Sequence, residues 1–354
     1  MDTGDSSTDN HANHTIMKHW QQYNPKERLQ LLDIASAEKT LPRQAIEKDW
    51  WVTMVLEALS QTRYSHLLSF KGGTSLSKGW RLIERFSEDI DIALKREERF
   101  AITDTTNNQL AKVRRKARHY IVRELPDELT EILGGMGIVD FTVEPELTRK
   151  KNETVIDLRA DTDPSVIYVI YRTVLPDISE YMPPRVKIEI SCRSMNEPVE
   201  NKSIRSFISE VRPKAEDVVV QFNTVVPTRT FLEKMFLLHE EFQKEKPRSK
   251  RMSRHLYDLE KIMDTPFGET ALKDKELYEE IVRHRSVFTP IDGVDYTTHA
   301  PQTINFIPPQ QLMDKWNEDY AMLTNEFLYY NGERLSFEHL MNRIRELLER
   351  VRKM

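Results

Sequence analysis

Two aspartates, Asp89 and Asp91, are separated by a single residue in a short apolar segment of the sequence. The apolar residues Ile90, Ile92 and Leu94 alternate with them, which predicts a strand. Residues two apart on a strand point to the same face, so the two carboxylates would lie side by side. Because like charges at such short range repel each other, a cation between them is expected. This pair predicts a hard cation such as Mg²⁺, which prefers oxygen ligands.

A third carboxylate would complete a site for two divalent ions. Residues 185–192 alternate apolar and polar side chains, which predicts another strand, and Glu189 lies on its polar face. We therefore predict Asp89, Asp91 and Glu189 as ligands of two Mg²⁺ ions. The alternative is that Glu189 is an ordinary solvated residue on an exposed strand face.

Glycine is scarce in this chain, with 10 in 354 residues, yet Gly72 and Gly73 are adjacent. They follow a short apolar run that predicts a strand and precede Thr74 and Ser75, which can begin a helix over residues 76–84. Without a Cβ atom the backbone can approach a phosphate closely, and a helix N-terminus attracts anions. These four residues are therefore predicted to hold a phosphate group, although Gly-Gly-Thr also occurs in ordinary turns.

The order of the elements predicts an α+β fold. Helices are predicted over residues 25–39 and 42–62, and strands dominate between residues 136 and 194. After Pro227 the pattern changes to helices. We predict a mixed-sheet core with helices, followed by an all-helical C-terminal domain. The predicted boundaries are a disordered tail over 1–24, an α/β domain over 25–225 and a helical domain over 226–354.

The composition excludes several classes of protein. Charged residues make up 31% of the chain and the net charge is −5, and no apolar run approaches the roughly 20 residues of a membrane-spanning helix. The N-terminus lacks the apolar stretch of a secretory signal. Cys192 is the single cysteine, so an intramolecular disulfide and a cysteine-based zinc cluster are excluded. A cytoplasmic location is expected.

The order of a strand, Gly-Gly, a helix, an Asp-x-Asp strand and a later acidic residue resembles the nucleotidyltransferases of the DNA polymerase beta type. Longer segments narrow the resemblance to the AbiEii/AbiGii toxin family. They are Ile46-Glu-Lys-Asp-Trp-Trp-Val-Thr, Phe70-Lys-Gly-Gly-Thr-Ser, Arg85-Phe-Ser-Glu-Asp-Ile-Asp-Ile, Phe231-Leu-Glu-Lys-Met-Phe-Leu-Leu and Arg254-His-Leu-Tyr-Asp-Leu. The resemblance covers roughly residues 42–264.

The resemblance implies that an NTP is the substrate and assigns roles to further residues. Ser87 would hydrogen-bond the phosphate or the first aspartate, or it could cap a turn. Lys234 would contact a phosphate or the base, and Asp258 would position Lys234 or the nucleotide. From the residues alone, Lys234 could instead extend to solvent, and Asp258 could form a surface ion pair. His255 departs from the family pattern, in which many members have an acidic residue.

Two clusters of basic residues are candidates for contacts with an RNA backbone. The first lies between the last two family segments and contains Arg248, Lys250, Arg251 and Arg254. The second contains Arg114, Arg115, Lys116, Arg118 and His119. Each cluster could instead be a solvated surface, so RNA contact is an expectation that rests mainly on the first cluster.

These expectations combine into one function. The chain is predicted to be a Mg²⁺-dependent nucleotidyltransferase that transfers NMP from an NTP to an RNA acceptor. The resemblance implies the toxin of a toxin–antitoxin or phage-defence (abortive infection) system, a cognate antitoxin protein, and the 3′ end of tRNA as an acceptor. Two alternatives stay open, namely transfer to a protein side chain and a catalytically inactive module that binds nucleotides or a partner.

Overall fold

The computed structural model describes residues 19–96, 107–151, 154–177, 182–195, 198–327 and 334–354. Most of the predicted tail, residues 1–18, lies outside these ranges. Residues 19–24, which the sequence places in the tail, are folded. Trp20 begins the short 3₁₀ helix Trp20–Gln22 and is buried, and its indole N–H donates to the Arg28 carbonyl oxygen at 3.1 Å. This tryptophan anchors the segment to the helix that follows.

A mixed sheet of seven strands forms within the described residues. In chain order the strands are β1 (Leu68–Lys71), β2 (Ile90–Leu94), β3 (Phe141–Pro145), β4 (Thr148–Lys151), β5 (Thr154–Asp157), β6 (Ser165–Tyr171), β7 (Arg185–Ser191), β8 (Val199–Ile204) and β9 (Val220–Val225). β4 and β5 form a separate hairpin, and the sheet order is β3-β6-β7-β2-β1-β9-β8. The β2–β7 and β1–β9 pairs are parallel. The strand with the Asp-x-Asp residues is therefore central.

Helices precede, interrupt and follow the sheet. They are α1 (Pro25–Lys39), α2 (Arg43–Ser60), α3 (Gly72–Thr74), α4 (Asn107–Arg123), α5 (Leu125–Gly135), α6 (Phe207–Val211), α7 (Pro227–Phe242), α8 (Ser253–Met263), α9 (Pro266–Ala271), α10 (Lys275–Phe288), α11 (Met313–Glu326) and α12 (Phe337–Val351). None of the helices in the described ranges is both long and apolar enough to span a membrane.

Two hydrophobic cores reflect the change of pattern along the chain. The first lies between the sheet and helices α1, α2, α4 and α5, and the second lies among α7, α8, α10, α11 and α12. This arrangement confirms the predicted fold class. Leu76 and Ile83, from the sheet half, belong to the second core. The division into two domains at residue 225 stays a prediction, and these two side chains connect the halves.

The segment after Gly73 departs from the predicted elements. The sequence predicts a helix over residues 76–84, but the short helix α3 continues only into the π-helical turn Ser75–Gly79. Arg81 then has a left-handed backbone conformation with φ of 54°, which an α-helix does not accommodate. The Trp80 indole N–H donates to the Val225 carbonyl oxygen at 3.0 Å, so a tertiary contact directs the chain away from a helical path.

A buried ion pair fixes the π-helical turn to α2. Lys78 Nζ lies 2.5 Å from Asp49 Oδ1, and neither side chain is more than 4% exposed. Asp49 Oδ2 accepts the backbone N–H of Phe207 at 2.6 Å. Asp49 therefore connects α2, the turn and α6, and removing either partner of such a buried pair is strongly destabilising.

Replacing Asp49 with alanine would leave Lys78 buried without its carboxylate. We expect Asp49→Ala to lower the free energy of unfolding by about 3–5 kcal/mol. Asp33→Ala is the control, because the Asp33–Arg43 pair is about half exposed and should contribute less than about 1 kcal/mol. Equilibrium unfolding in urea measures both changes. Equal losses in the two variants would contradict the role given to Asp49.

Candidate active site

Strands β1, β2 and β7 bring three polar residues into one row across the centre of the sheet. Asp91 in β2 is paired in register with Lys71 in β1 and with Glu189 in β7. Paired residues on neighbouring strands point to the same face, and the strands are about 4.8 Å apart. Asp89 immediately precedes β2. The structure thus brings together the three carboxylates that the sequence singles out.

These residues line a cleft of about 390 Å³ that both halves of the chain form. The sheet half contributes the three carboxylates, the two glycines, Arg85 and Ser87, and the helical half contributes side chains from α7, α8 and α10. The cleft therefore depends on the packing of the sheet half against the helical half.

The environment of the cleft disfavours the negative charge of the aspartates. Burial raises the pKa of Asp91 to about 6, and the charges of Glu189 and Asp89 add to the rise, while Lys71 opposes it. Burial also raises the pKa of Asp89. A positive charge placed among these groups would stabilise their ionised forms.

The oxygen donors of Asp89, Asp91 and Glu189 are the kind that a divalent cation prefers. In the part of the chain that the structure describes, no group of three or more His, Cys, Asp or Glu side chains is arranged to hold a metal ion as the side chains stand. Glu189 is engaged in an ion pair with Lys187 Nζ. The donor chemistry and the raised aspartate pKa values fit a divalent cation, and the three metal ligands stay a prediction.

The Gly72–Gly73 turn lies directly against the charged groups of the cleft. Gly72 has a φ of +78°, in the left-handed region that favours glycine. A Cβ atom at Gly72 would lie 2.1 Å from Asp91 Oδ2, and one at Gly73 would lie 2.5 Å from Arg85 Nη2. Neither position has room for a side chain, so close packing against Asp91 and Arg85 requires both glycines.

Hydroxyl groups fix this turn to the aspartate strand. Thr74 Oγ1 donates to the Asp89 carbonyl oxygen at 2.5 Å and lies 2.9 Å from Ser87 Oγ. Ser75 Oγ donates to the Gly72 carbonyl oxygen at 2.9 Å. Thr74 and Ser75 are fully buried, so their hydroxyls hold the turn in place, whereas Ser87 lines the cleft. A phosphate contact by any of these hydroxyls stays a prediction.

One buried carboxylate, Asp258 in α8, organises the basic groups of the cleft. Its Oδ1 accepts Arg85 Nε–H at 2.6 Å and its Oδ2 accepts Arg85 Nη2–H at 2.7 Å. Lys234 Nζ in α7 lies 2.8 Å from Asp258 Oδ2. Although burial opposes ionisation, Arg85 and Lys234 hold the pKa of Asp258 well below its usual range. The family resemblance implies that Asp258 positions Lys234 or the nucleotide; Asp258 contacts Lys234, and its role stays a prediction.

Arg85 is the residue of this group that sequence reasoning missed. It precedes the Asp-x-Asp pair by four residues, and it lies within a segment that carries the family resemblance. Its partner Asp258 is 173 positions away in the chain. The arginine side chain is only 3% exposed, and a buried guanidinium needs a carboxylate partner. The sequence shows the arginine but not its burial, so nothing pointed to the partner.

Arg254 adds another basic group, and its Nε has no hydrogen-bond partner within the described ranges. Burial, followed by the charge of Arg85, lowers the pKa of Arg254. Burial and Lys234 hold the pKa of His255 well below its usual range, so His255 is neutral at neutral pH. We call Arg85, Lys234 and Arg254 the cation cluster. Asp258 contacts two of these three basic groups, and the charges of both Asp258 and Asp89 act on Arg254.

The structure distributes the first basic cluster of the sequence around the cleft. Arg248 and Arg254 line it, and Arg248 Nη2 lies 2.7 Å from a buried carboxylate oxygen of Glu241. Arg251 Nη2 lies 3.0 Å from a carboxylate oxygen of Glu88, and Lys250 is exposed. Two of the four residues therefore already have acidic partners, and RNA contact by the four stays a prediction.

A family model described as "Nucleotidyl transferase AbiEii toxin, Type IV TA system" matches residues 55–350. The chain belongs to the AbiEii nucleotidyltransferase toxin family. The match confirms the resemblance that the sequence motifs carry. This AbiEii protein is therefore a nucleotidyltransferase toxin of a type IV toxin–antitoxin system.

The AbiEii chain is also similar in structure to MenT4, a nucleotidyltransferase toxin from Mycobacterium tuberculosis. The TM-score is 0.50 at 17% sequence identity, and the similarity covers 91% of this chain and 90% of MenT4. At this identity the likeness supports the fold. No curated protein matches the chain.

Replacing Gly72 with alanine would place a methyl group at the position of Asp91 Oδ2. We expect Gly72→Ala to lose about 1–2 kcal/mol of stability from the left-handed backbone and to abolish nucleotidyl transfer, because Asp91 must move. Gly293→Ala is the matched control, since Gly293 has a φ of +79° and nothing lies within 4 Å of an added Cβ. Urea unfolding and a transfer assay measure the two effects. A Gly72→Ala enzyme as active as Gly293→Ala would contradict this account.

Removing the charge of Asp258 would leave Arg85 and Lys234 buried without their carboxylate. We expect Asp258→Asn to lower the free energy of unfolding by about 3–5 kcal/mol. The folded state depresses the pKa of Asp258. The loss in the free energy of unfolding relative to wild type is therefore complete above the ordinary aspartate pKa of about 3.9, and it shrinks as the pH falls below that value.

The control for Asp258 is Asp264→Asn, just beyond the end of the same helix. Asp264 is 54% exposed, so its replacement should cost less than about 1 kcal/mol. Urea unfolding between pH 3 and 7 measures both variants. If the free energies of unfolding of Asp258→Asn and wild type differed by the same amount at every pH, the depressed pKa of Asp258 would be contradicted.

Proposed function

We propose that this toxin transfers the nucleoside monophosphate of an NTP to the 3′-terminal hydroxyl of an RNA, with tRNA as the acceptor. The observation that carries the proposal is that one cleft is lined both by Asp89, Asp91 and Glu189 and by the cation cluster. The carboxylates suit divalent ions, and the basic groups suit a polyphosphate. Nucleotidyl transfer requires both kinds of group in one place.

The triphosphate would lie between the Gly72–Gly73 turn and the cation cluster. The two glycines of the turn line the cleft and have no side chains of their own, and Lys234 and Arg254 also line it. Burial lowers the pKa values of Lys234 and Arg254. A phosphate anion would favour the protonated forms of both groups, so nucleotide binding and their protonation support each other.

Asp89, Asp91 and Glu189 would hold the divalent cations, two Mg²⁺ ions in the proposal. When bound, such ions stabilise the developing phosphate charge and lower the pKa of an attacking hydroxyl. In the transfer, a bond forms between the acceptor oxygen and the α-phosphorus, and the bond from the α-phosphorus to its bridging oxygen breaks. Pyrophosphate leaves, and the hydroxyl proton passes to solvent. Glu189, on the strand next to Asp91, would face the acceptor.

The RNA would approach the cleft over Arg248, Lys250, Arg251 and Arg254, whose charges can contact its phosphates. Modification of an RNA 3′ end accounts for toxicity, because tRNA with a blocked end cannot be used in translation. In this proposal the protein acts in the cytoplasm, and its antitoxin restrains it until, for example, a phage infection.

The proposal is tested by incubating the full chain with each α-labelled NTP, Mg²⁺ and total cellular RNA. We expect label on RNA of tRNA size and no label after chelation of the metal by EDTA. Asp89→Asn and Asp91→Asn should each lower transfer by more than about 100-fold, since even outer-shell changes at metal sites cost 10–100-fold. Glu269→Gln is the control, because this carboxylate is 62% exposed.

Other outcomes distinguish the alternatives. Label on protein and none on RNA would replace the RNA acceptor with a protein side chain. An absence of label on both, with Asp89→Asn as toxic in cells as wild type, would overturn the enzymatic function in favour of a binding module. Transfer that persists in EDTA would overturn the metal dependence.

A further inference from the structure

The β4–β5 hairpin begins at the edge of the sheet, on the same row of residues as the carboxylates of the cleft. The backbone N–H of Glu146, directly before the hairpin, donates to the Val166 carbonyl oxygen at 2.9 Å. Val166 is paired in register with Glu189, which is paired with Asp91. The base of the hairpin is therefore two strands away from Glu189 on the same row, a distance of about 10 Å.

The hairpin extends away from the body of the sheet. All four residues of β5 are exposed, including the apolar Val155 at 66% and Ile156 at 40%. β4 and β5 pair with each other and are not part of the seven-stranded sheet. A two-stranded hairpin is barely stable without a surface to pack on, so an exposed apolar hairpin indicates an interaction surface.

Basic residues from two distant parts of the sequence meet at this hairpin. Arg118 in α4 is buried and its Nη2–H donates to the Glu146 carbonyl oxygen at 3.1 Å. Arg114 Nη2–H donates to Asp161 Oδ2 at 3.3 Å, so helix α4 is fixed beside the hairpin base. We define the hairpin–α4 surface by its five cations, which are Arg114, Arg115, Arg149, Lys150 and Arg159.

The charge of the hairpin–α4 surface is oriented outward. Arg159 is 85% exposed while its partner Asp161 is 14% exposed, and Arg149 is 50% exposed while Glu146 is 17% exposed. Arg115 and Lys150 are exposed and have no ion pair with any described residue. Exposed pairs of this kind hold their cations weakly, so the guanidinium and ammonium groups are available to a polyanion.

The surface lies within reach of the charge of Glu189. The pKa of Arg149 is raised, first by its hydrogen bond to Glu146 and to a smaller extent by the charge of Glu189. Each strand of the hairpin has four residues and spans about 13 Å, so the surface reaches about 20–25 Å from Glu189. A nucleic-acid strand covers that distance in about seven nucleotides at about 3.4 Å each.

We propose that the hairpin–α4 surface binds the sugar–phosphate backbone of the acceptor RNA while the 3′ end of that RNA lies at Glu189, an inference that rests on the proposed function. The surface is positive in a chain of net charge −5, which favours a polyanion over an acidic or apolar peptide. Val155 and Ile156 supply apolar contacts between the basic residues. The proposal gives the second basic cluster of the sequence a function in RNA binding. Arg118 of that cluster has a structural role instead, at the base of the hairpin.

The first test measures binding of a dye-labelled RNA hairpin with a single-stranded 3′ end to the full chain, by fluorescence anisotropy at 50–300 mM salt. The variant combines Arg115→Gln, Arg149→Gln, Lys150→Gln and Arg159→Gln. Loss of four phosphate contacts should reduce the slope of log affinity against log salt by about 3 and weaken binding at least about 10-fold at 150 mM. The matched control combines Lys273→Gln, Arg283→Gln, Arg345→Gln and Lys353→Gln, four exposed cations of the helical half.

The second test compares transfer to this RNA with transfer to a trinucleotide, which at about 3.4 Å per nucleotide spans about 10 Å and does not extend beyond the base of the hairpin. We expect the first variant to raise KM about 10-fold for the long RNA and to leave kcat/KM for the trinucleotide unchanged. An equal loss on both acceptors, or binding indistinguishable from the control variant, would overturn the inference. If wild type labels no RNA, the proposed function fails, and the binding test alone still decides for or against the surface.

Discussion

The buried carboxylate of Asp258 is the constraint on which the rest of the site depends. It lies in a helix of the second core, yet it binds an arginine from the loop before the Asp-x-Asp strand and a lysine from α7. Because a buried charge is tolerated only with partners, these three groups must be together whenever the protein is folded. The position of Lys234 relative to the aspartates is thus fixed by an electrostatic requirement rather than by local chain geometry.

On the other side of the cleft, close steric packing fixes the positions of the groups. The glycine turn contacts Asp91 and Arg85 so closely that only hydrogen fits on either Cα, and hydroxyl groups join this turn to the backbone of Asp89. Acidic and basic groups therefore approach the same small volume from two directions. A polyphosphate that enters it would meet Arg85 and Lys234 already held in position by Asp258, which reduces the reorganisation that catalysis requires.

Much of the fold follows from local patterns, whereas the contacts between distant segments do not. The alternation in β2 and β7 and the spacing in α8 predict those elements, since each pattern needs only a few neighbouring residues. The helix expected over residues 76–84 is not formed, because Trp80 and Lys78 are held by partners elsewhere in the chain. The carboxylates could be predicted as a group from their strands, but the pairing of Asp91 with Glu189 depends on sheet order. For the same reason the sequence could not show which basic residues are neutralised by acids and which are available.

The participation of Leu76 and Ile83 in the second core has a consequence for protein synthesis. A ribosome delivers the sheet half first, at about 5–20 residues per second, and at that stage these two side chains have no core in which to be buried. At that stage Arg85 also has no carboxylate to pair with, because its partner Asp258 lies in α8. The Gly72–Gly73 turn, which packs against Arg85, therefore has its final surroundings only after α8 has been translated. A partly made toxin therefore lacks the side chains that α7, α8 and α10 contribute to the cleft.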